Sequence, residues 1–231
     1  MFKTQFLNLE KLAYDDALVL MRELVVIKSR STRPEVLIIT EHEPVLTMGR
    51  RAEPSDILVP RDLLVSKGIA VHRVERGGLI TYHGPGQLVA YPVFKLGTIS
   101  LDVGRLVYGL EQVALNTLSD FGIAAGRMEG SRGVWVGREK IASIGVAVRK
   151  GVSFHGMALN CDPDLSHFEF INPCGMNGVR MTSMSKLLDK PVDMTAVRGA
   201  MALHFKREYK LDLEECSLDS ISPNIDLLIS S

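Results

Sequence analysis

A thiol on a rigid corner and a lysine at the end of an apolar row are the residues whose types and spacing best suit covalent chemistry. Cys174 lies in Ile171-Asn172-Pro173-Cys174-Gly175-Met176. Pro173 fixes its own φ and biases Asn172 away from helix, and Gly175 permits a tight turn. Such a corner, near exposed amides, is the setting of a reactive cysteine, whereas an inert one sits within a continuous apolar run. Cys161 follows Ala158-Leu159-Asn160 at a strand end, and Cys216 stands beside Glu214 and Glu215, which disfavour its thiolate. A thiol with a pKa of about 8.5 is only slightly ionised at neutral pH, so a nucleophilic cysteine needs a base or a nearby cation. The candidates are His83, His155 and Lys140. In a regular strand Lys140 shares a face with Ala142, Ile144, Val146 and Val148. Burial there lowers a lysine's pKa and makes it a credible proton acceptor. The alternative is that Lys140 lies at a hairpin turn and reaches into water.

The stretch Arg76-Gly77-Gly78-Leu79-Ile80-Thr81-Tyr82-His83-Gly84-Pro85-Gly86-Gln87 is the most unusual of the chain. Its two glycine pairs let backbone approach another group closely, with Arg76, Tyr82, His83 and Gln87 placing polar atoms around that approach. The plainer reading is a β-hairpin with a Gly-Pro turn. It is not a phosphate loop, because no Gly-Lys-Ser/Thr ending and no helical pattern follow. His155, Cys161, His167 and Cys174 lack the close ligand pairs that structural zinc sites favour, so no metal is expected.

These residues need elements to carry them. Leu9, Leu12, Ala13, Leu20, Met21, Leu24 and Ile27 recur at helical spacing, which predicts a helix over 9–27 capped by Asn8. Val36 to Thr40 reads as a buried strand, and Val71 to Glu75 and Leu88 to Phe94 as extended segments. Asp102 caps a second predicted helix that Gly122 stops. Gly133 to Val136 and Lys140 to Val148 form a hairpin, and Arg149-Lys150-Gly151 turns into Val152 to Asn160. A last helix follows Asp193 or Thr195. The chain beyond about residue 212, above all after Cys216, is weakly patterned, and no structure is assigned to it. The fold class is α/β (α+β), one domain over 1–231 with a mixed sheet flanked by helices.

Composition narrows the function. The chain has 231 residues, 46% hydrophobic and 23% charged, with 27 basic and 27 acidic side chains. A formal net charge of zero argues against general nucleic-acid binding. No run approaches the roughly 18 apolar residues of a membrane span, and the N-terminus does not read as a signal peptide. Three cysteines are too few for a disulfide framework, so a reducing cytoplasm is the expected location.

The motifs resemble those of the lipoyl(octanoyl) transferase family. The resemblance runs through Pro44-Val45-x-Thr47-x-Gly49-Arg50, the Arg76 to Gln87 stretch with Tyr91-Pro92, and Lys140-Ile141-x-Ser143-Ile144-Gly145. It continues through Ser153-Phe154-His155-Gly156-x-Ala158-Leu159-Asn160 and Ile171-Asn172-Pro173-Cys174-Gly175, covering about residues 42 to 183. It implies the biotin and lipoate protein ligase fold, and transfer of an octanoyl group from octanoyl-acyl carrier protein to a lysine of a lipoyl domain. The acceptors implied are the lipoyl domains of 2-oxo acid dehydrogenase E2 subunits and the glycine cleavage H protein. By the same resemblance Cys174 is the nucleophile and Lys140 its acid/base partner. Arg76, Gly77, Gly78, Leu79, Ile80, Thr81, Tyr82, His83, Ser143, Ile144, Gly145, Gly156, Met157 and Ala158 match the acyl-binding segments, and His155 is a supporting candidate. An acidic carrier implies positive charge near the site, for which Arg138, Arg149 and Lys150 are candidates. The rival on the same fold is an ATP-dependent lipoate or biotin ligase, which needs no nucleophilic thiol. A cysteine hydrolase using His155 or His83, or an inactive carrier-binding module, are more distant alternatives.

Overall fold

The computed structural model describes residues 1–173 and 179–221. The chain opens with strand β1 (Phe2–Lys11), then helix α1 (Tyr14–Ser29). The strand therefore takes Leu9 to Lys11, which the helical spacing places in the helix. Its apolar side chains are drawn into a parallel ladder with the next strand, and Asn8 donates to Glu215 (3.3 Å) instead of capping. Strands β2 (Glu35–Glu41) and β3 (Val45–Met48) follow, then the short helix α2 (Arg61–Ser66), β4 (Ala70–Arg73), β5 (Ile80–His83) and β6 (Gln87–Val93). Helix α3 (Val103–Asp120) starts where expected, with the Asp102 carboxylate accepting from the Arg105 amide at 2.7 Å.

The second half holds β7 (Gly126–Met128), β8 (Ser131–Val136), β9 (Glu139–Arg149) and β10 (Val152–Asn160). Two-residue turns join the last three into the antiparallel meander that the glycines predicted. Then come β11 (Arg180–Met181), α4 (Met184–Leu188) and α5 (Met194–Glu208), the last capped by Asp193. Residues 211–221 carry elements that their composition did not suggest. They add β12 (Leu211–Glu215), parallel to β1, and a single helical turn, α6 (Leu218–Ile221).

Among the described residues the large sheet has nine strands in the order β12-β1-β2-β6-β10-β9-β8-β7, with β11 pairing β9 where β10 leaves off. Helices α3 and α5 bury Leu106, Leu110, Val113, Met201 and Phe205 against one face. Helix α1 buries Ala17, Leu20, Met21 and Leu24 against the other. A separate small sheet, β4-β3-β5, carries its own cluster around Leu46, Ile80, Tyr82 and Phe168. The result is a mixed α/β domain in which β5 and β6, rather than forming a hairpin, belong to different sheets. His83-Gly84-Pro85-Gly86 is the crossing between them.

Candidate active site

That crossing encloses a space. A cavity of about 300 Å³ lies between β5 of the small sheet and the β9–β10 surface of the large one, with Tyr14 at the start of α1 in its wall. Lys140, Arg76, Gly78, Leu79, Ile80, Thr81 and His83 line it, as do Ser143, Ile144, Gly145, His155, Gly156, Met157 and Ala158. The three chain segments singled out from the sequence thus meet in one place. Pro173, whose next neighbour in the chain is Cys174, also lines it. Cys174 itself lies outside the described residues.

Two of the expected residues do not line the cavity. Tyr82 turns into the small-sheet cluster, where its hydroxyl meets His167 Nδ1 at 2.9 Å, because alternate strand residues face opposite ways. Gly77 acts through its backbone, its N–H donating to Val146 O at 2.9 Å. That amide is thereby committed and cannot serve as an oxyanion donor. Conversely, the cavity wall includes Tyr14, Arg51 and Arg132, which the motifs did not single out, and Tyr91 of the Tyr91-Pro92 motif, for which no role was expected. Tyr14 belongs to another element far away in the chain, so no local signal marks it.

Lys140 is only 8% exposed, which rejects the reading that it reaches into water. Its strand is held on both sides, by Trp135 of β8 and Met181 of β11, and its carbonyl accepts from the Thr182 amide at 2.9 Å. The ammonium stands 5.3 Å from the centre of the Trp135 ring. Room for the side chain comes from Gly133, in the left-handed region at φ 117, whose missing Cβ would stand 2.5 Å from Lys140 Cε. The buried Glu111 carboxylate accepts from the Gly133 amide (3.1 Å) and from Arg127 Nε (2.9 Å).

Arg76 is buried and its donors are spent on the protein. Nε and Nη2 bond the Thr47 hydroxyl, Nη2 also meets the Thr47 carbonyl, and Nη1 bonds the carbonyls of Gly77 (3.1 Å) and Leu79 (2.9 Å). It anchors the glycine loop over β9. Burial lowers its pKa to about 10, and it remains a cation at neutral pH. Gly156 allows the opposite wall to close, since a Cβ there would run into the Ala90 carbonyl oxygen of β6.

Burial disfavours the protonated forms of His83, His42 and His155. Gln87 donates to the Tyr82 carbonyl (3.0 Å), so its Oε1 accepts from His83 Nδ1 (3.0 Å) and leaves His83 Nε2 as an acceptor. Burial, with help from His42 and Arg76, pushes His83 down to about 3. His42 donates from Nδ1 to Leu12 O (2.6 Å) and accepts the Tyr91 hydroxyl at Nε2 (2.8 Å), and burial brings it to about 4. His155 has a left-handed backbone, φ 57, in the middle of β10. Alternation would turn it toward α3 and α5 with Leu159. Instead it lines the cavity, its Nε2 lying 3.7 Å from Glu75 Oε2, too far for a hydrogen bond. Burial lowers its pKa.

The other two thiols are unsuited to nucleophilic work. Cys161 is fully buried against α3 and α5, and burial drives its pKa up to about 12. Cys216 is raised by burial, and Glu214 and Glu215 add to the effect. His155, Cys161 and His167 lie apart, and among the described residues no three potential ligands converge on a metal position. Arg138 and the Arg149–Lys150 turn stand at opposite ends of the 11-residue β9, roughly 34 Å apart at the rise of a strand. They cannot form one patch, and none of them lines the cavity.

Sequence and fold comparisons agree with this architecture. Residues 10–206 match the lipoyl protein ligase A/B catalytic domain family. The chain is 42% identical over 217 residues to an octanoyltransferase of Caldicellulosiruptor saccharolyticus, covering 90% of this chain and 92% of that protein. It is 40% identical over 228 residues to an octanoyltransferase of Syntrophobacter fumaroxidans, covering 99% and 98%. The lipoic acid-bound structure of Ta0514, a lipoate protein ligase homologue from T. acidophilum, superimposes with a TM-score of 0.76 at 18% identity, covering 98% of this chain and 94% of that one. The chain belongs to the lipoyl protein ligase A/B catalytic domain family. Within it, the chain is an acyltransferase enzyme.

Proposed function

We propose that the protein transfers an octanoyl group from octanoyl-acyl carrier protein to a lysine of a lipoyl domain, through a thioester on Cys174. The observation that carries this reading is the convergence of Lys140 and Pro173 on the cavity that the glycine loop covers. The relatives named octanoyltransferases supply the acyl group. The elevated pKa values of Cys161 and Cys216 leave Cys174 as the thiol suited to attack.

In the first half-reaction the Cys174 sulfur attacks the octanoyl thioester carbonyl while Lys140 takes the thiol proton. The carrier thiol departs with a proton returned from Lys140. One thioester replaces another, so the step is nearly neutral in energy and needs no nucleotide. In the second, the acceptor amine gives its proton to neutral Lys140 and attacks, and Cys174 leaves. Amides beside Cys174 and the Gly78 amide are proposed as oxyanion donors, Gly77 being committed elsewhere. The octanoyl chain occupies the space bounded by Ile144, Met157 and Ala158. His83, which burial lowers to about 3, is a weak base, which weighs against a hydrolase that would use His83.

The acceptors are the lipoyl domains of 2-oxo acid dehydrogenases and the glycine cleavage H protein, and the reaction belongs to the cytoplasm. Among the described residues no helix is long and apolar enough to cross a membrane. The test is transfer to an isolated lipoyl domain, followed by mass spectrometry of the acceptor lysine. Octanoyl-acyl carrier protein without ATP should suffice, and Lys140→Ala should lose about 10²–10⁴-fold in turnover. Transfer that instead requires ATP and free octanoate would establish a ligase.

A further inference from the structure

The charges around the cavity are one-sided. Four of its described lining residues are cationic (Arg51, Arg76, Arg132 and Lys140), and none is an aspartate or glutamate. Arg76 is consumed by its own loop and Lys140 is buried. Arg51 and Arg132 differ, because both are exposed and no ion pair or side-chain hydrogen bond engages either guanidinium among the described residues. They come from separate segments, Arg51 just after β3 and Arg132 on β8. Arg51 is fixed beside the glycine loop by its amide, which donates to Gly78 O at 3.2 Å. Arg132 stands on β8, next to the Gly133 over which the Lys140 side chain lies.

We propose that Arg51 and Arg132 form an anion-binding mouth that takes the phosphodiester of the donor's thiol-bearing arm. This rests on the thioester donor of the proposed function. An acyl chain on a carrier protein is joined through a pantetheine arm whose far end is a phosphodiester, the one formal charge on an otherwise neutral tether. Two exposed guanidiniums lining one cavity present forked donors that match phosphate oxygens, and no carboxylate is among its described lining residues. A lysine-bearing acceptor has no such group. The mouth therefore distinguishes donor from acceptor at a shared cavity, and a neutral chain still attracts an anionic arm to the right place.

The test is equilibrium binding of two unreactive thioethers, S-octyl-4′-phosphopantetheine and S-octylpantetheine, to the whole protein and to its Arg51→Gln/Arg132→Gln variant. The phosphorylated arm should bind the unsubstituted protein about tenfold more tightly at low salt, as expected of two exposed charge pairs. The double variant should lose that preference while still binding the dephosphorylated arm. No preference in the unsubstituted protein, or a preference that survives in the variant, overturns the proposal. So does a variant weakened toward the intact carrier protein alone, since the arginines would then meet the carrier's own surface. Because binding is read without turnover, a phosphate preference in a protein that transfers no octanoyl group would uphold the mouth and reject the proposed reaction.

Discussion

The Lys140 side chain lies directly over Gly133, with Cε where a Cβ on residue 133 would press to 2.5 Å. The same Cβ would stand 2.5 Å from the Ala142 carbonyl oxygen. Gly133 therefore serves two ends: it lets β8 bulge at φ 117, and it clears a channel along which the lysine reaches the cavity. Gly133→Ala should cost roughly 1–3 kcal/mol of stability from backbone strain alone. It should also lower kcat more than it raises KM, because the Lys140 amine is displaced. Steady-state kinetics beside a chemical denaturation curve would check this; unchanged kcat in a destabilised variant would show that Lys140 does not depend on the channel.

Lys140→Ala removes the proposed proton carrier without touching the core clusters. Turnover should fall by about 10²–10⁴-fold, the range of general acid–base catalysis. Tm should shift little. A variant that keeps a tenth of the activity would remove Lys140 from the mechanism.

Arg76→Lys tests whether the guanidinium anchors or binds. A lysine cannot reproduce bonds to Thr47, Gly77 and Leu79 from one point charge, and it leaves buried carbonyls unpaired. The expected loss is about 2–3 kcal/mol in stability, measured by denaturant unfolding. An equally stable variant with raised KM would make Arg76 a substrate ligand instead.

How much of this was legible beforehand depends on whether the signal is local. The meander β8-β9-β10 announced itself through glycine turns between β-branched runs, and Asp102 and Asp193 marked their helices by capping. Strand β1 was hidden because its pairing partners lie far along the chain, at 35–41 and 211–215. The same is true of the cavity. Arg76, Lys140 and Ala158 were recognisable within their own segments, whereas Tyr14, Arg51 and Arg132 enter only through packing. The role of Arg76 also needed coordinates, since no spacing shows that its donors point inward.

Stability should fall on mild acidification. His42 and His83 stand at about 4 and about 3 in the folded chain, against about 6.5 when unfolded. Below that unfolded value the unfolded chain binds protons that the native chain does not, so stability is complete above it and declines as pH falls. Each histidine costs up to about 1.4 kcal/mol per pH unit, which gives a loss of roughly 2–4 kcal/mol between pH 7 and pH 5. Urea unfolding at the two pH values is the measurement, and equal free energies would contradict neutral burial of the pair.

Ala158 and Ser143 face each other across β10 and β9 in the cavity wall. Ala158→Leu should fill acyl space, lowering kcat/KM for octanoyl donors by about 10–100-fold, with butanoyl donors affected less. Parallel assays with the two chain lengths decide it, and equal losses would place the acyl chain elsewhere.

The central claim is a covalent intermediate on Cys174. Intact mass spectrometry after mixing the protein with octanoyl-acyl carrier protein, without ATP or acceptor, tests it most directly. The account predicts the gain of one octanoyl group that hydroxylamine removes and that Cys174→Ser does not acquire. An unmodified protein that still passes octanoyl to a lipoyl domain, or an adduct that persists in Cys174→Ser, would contradict it.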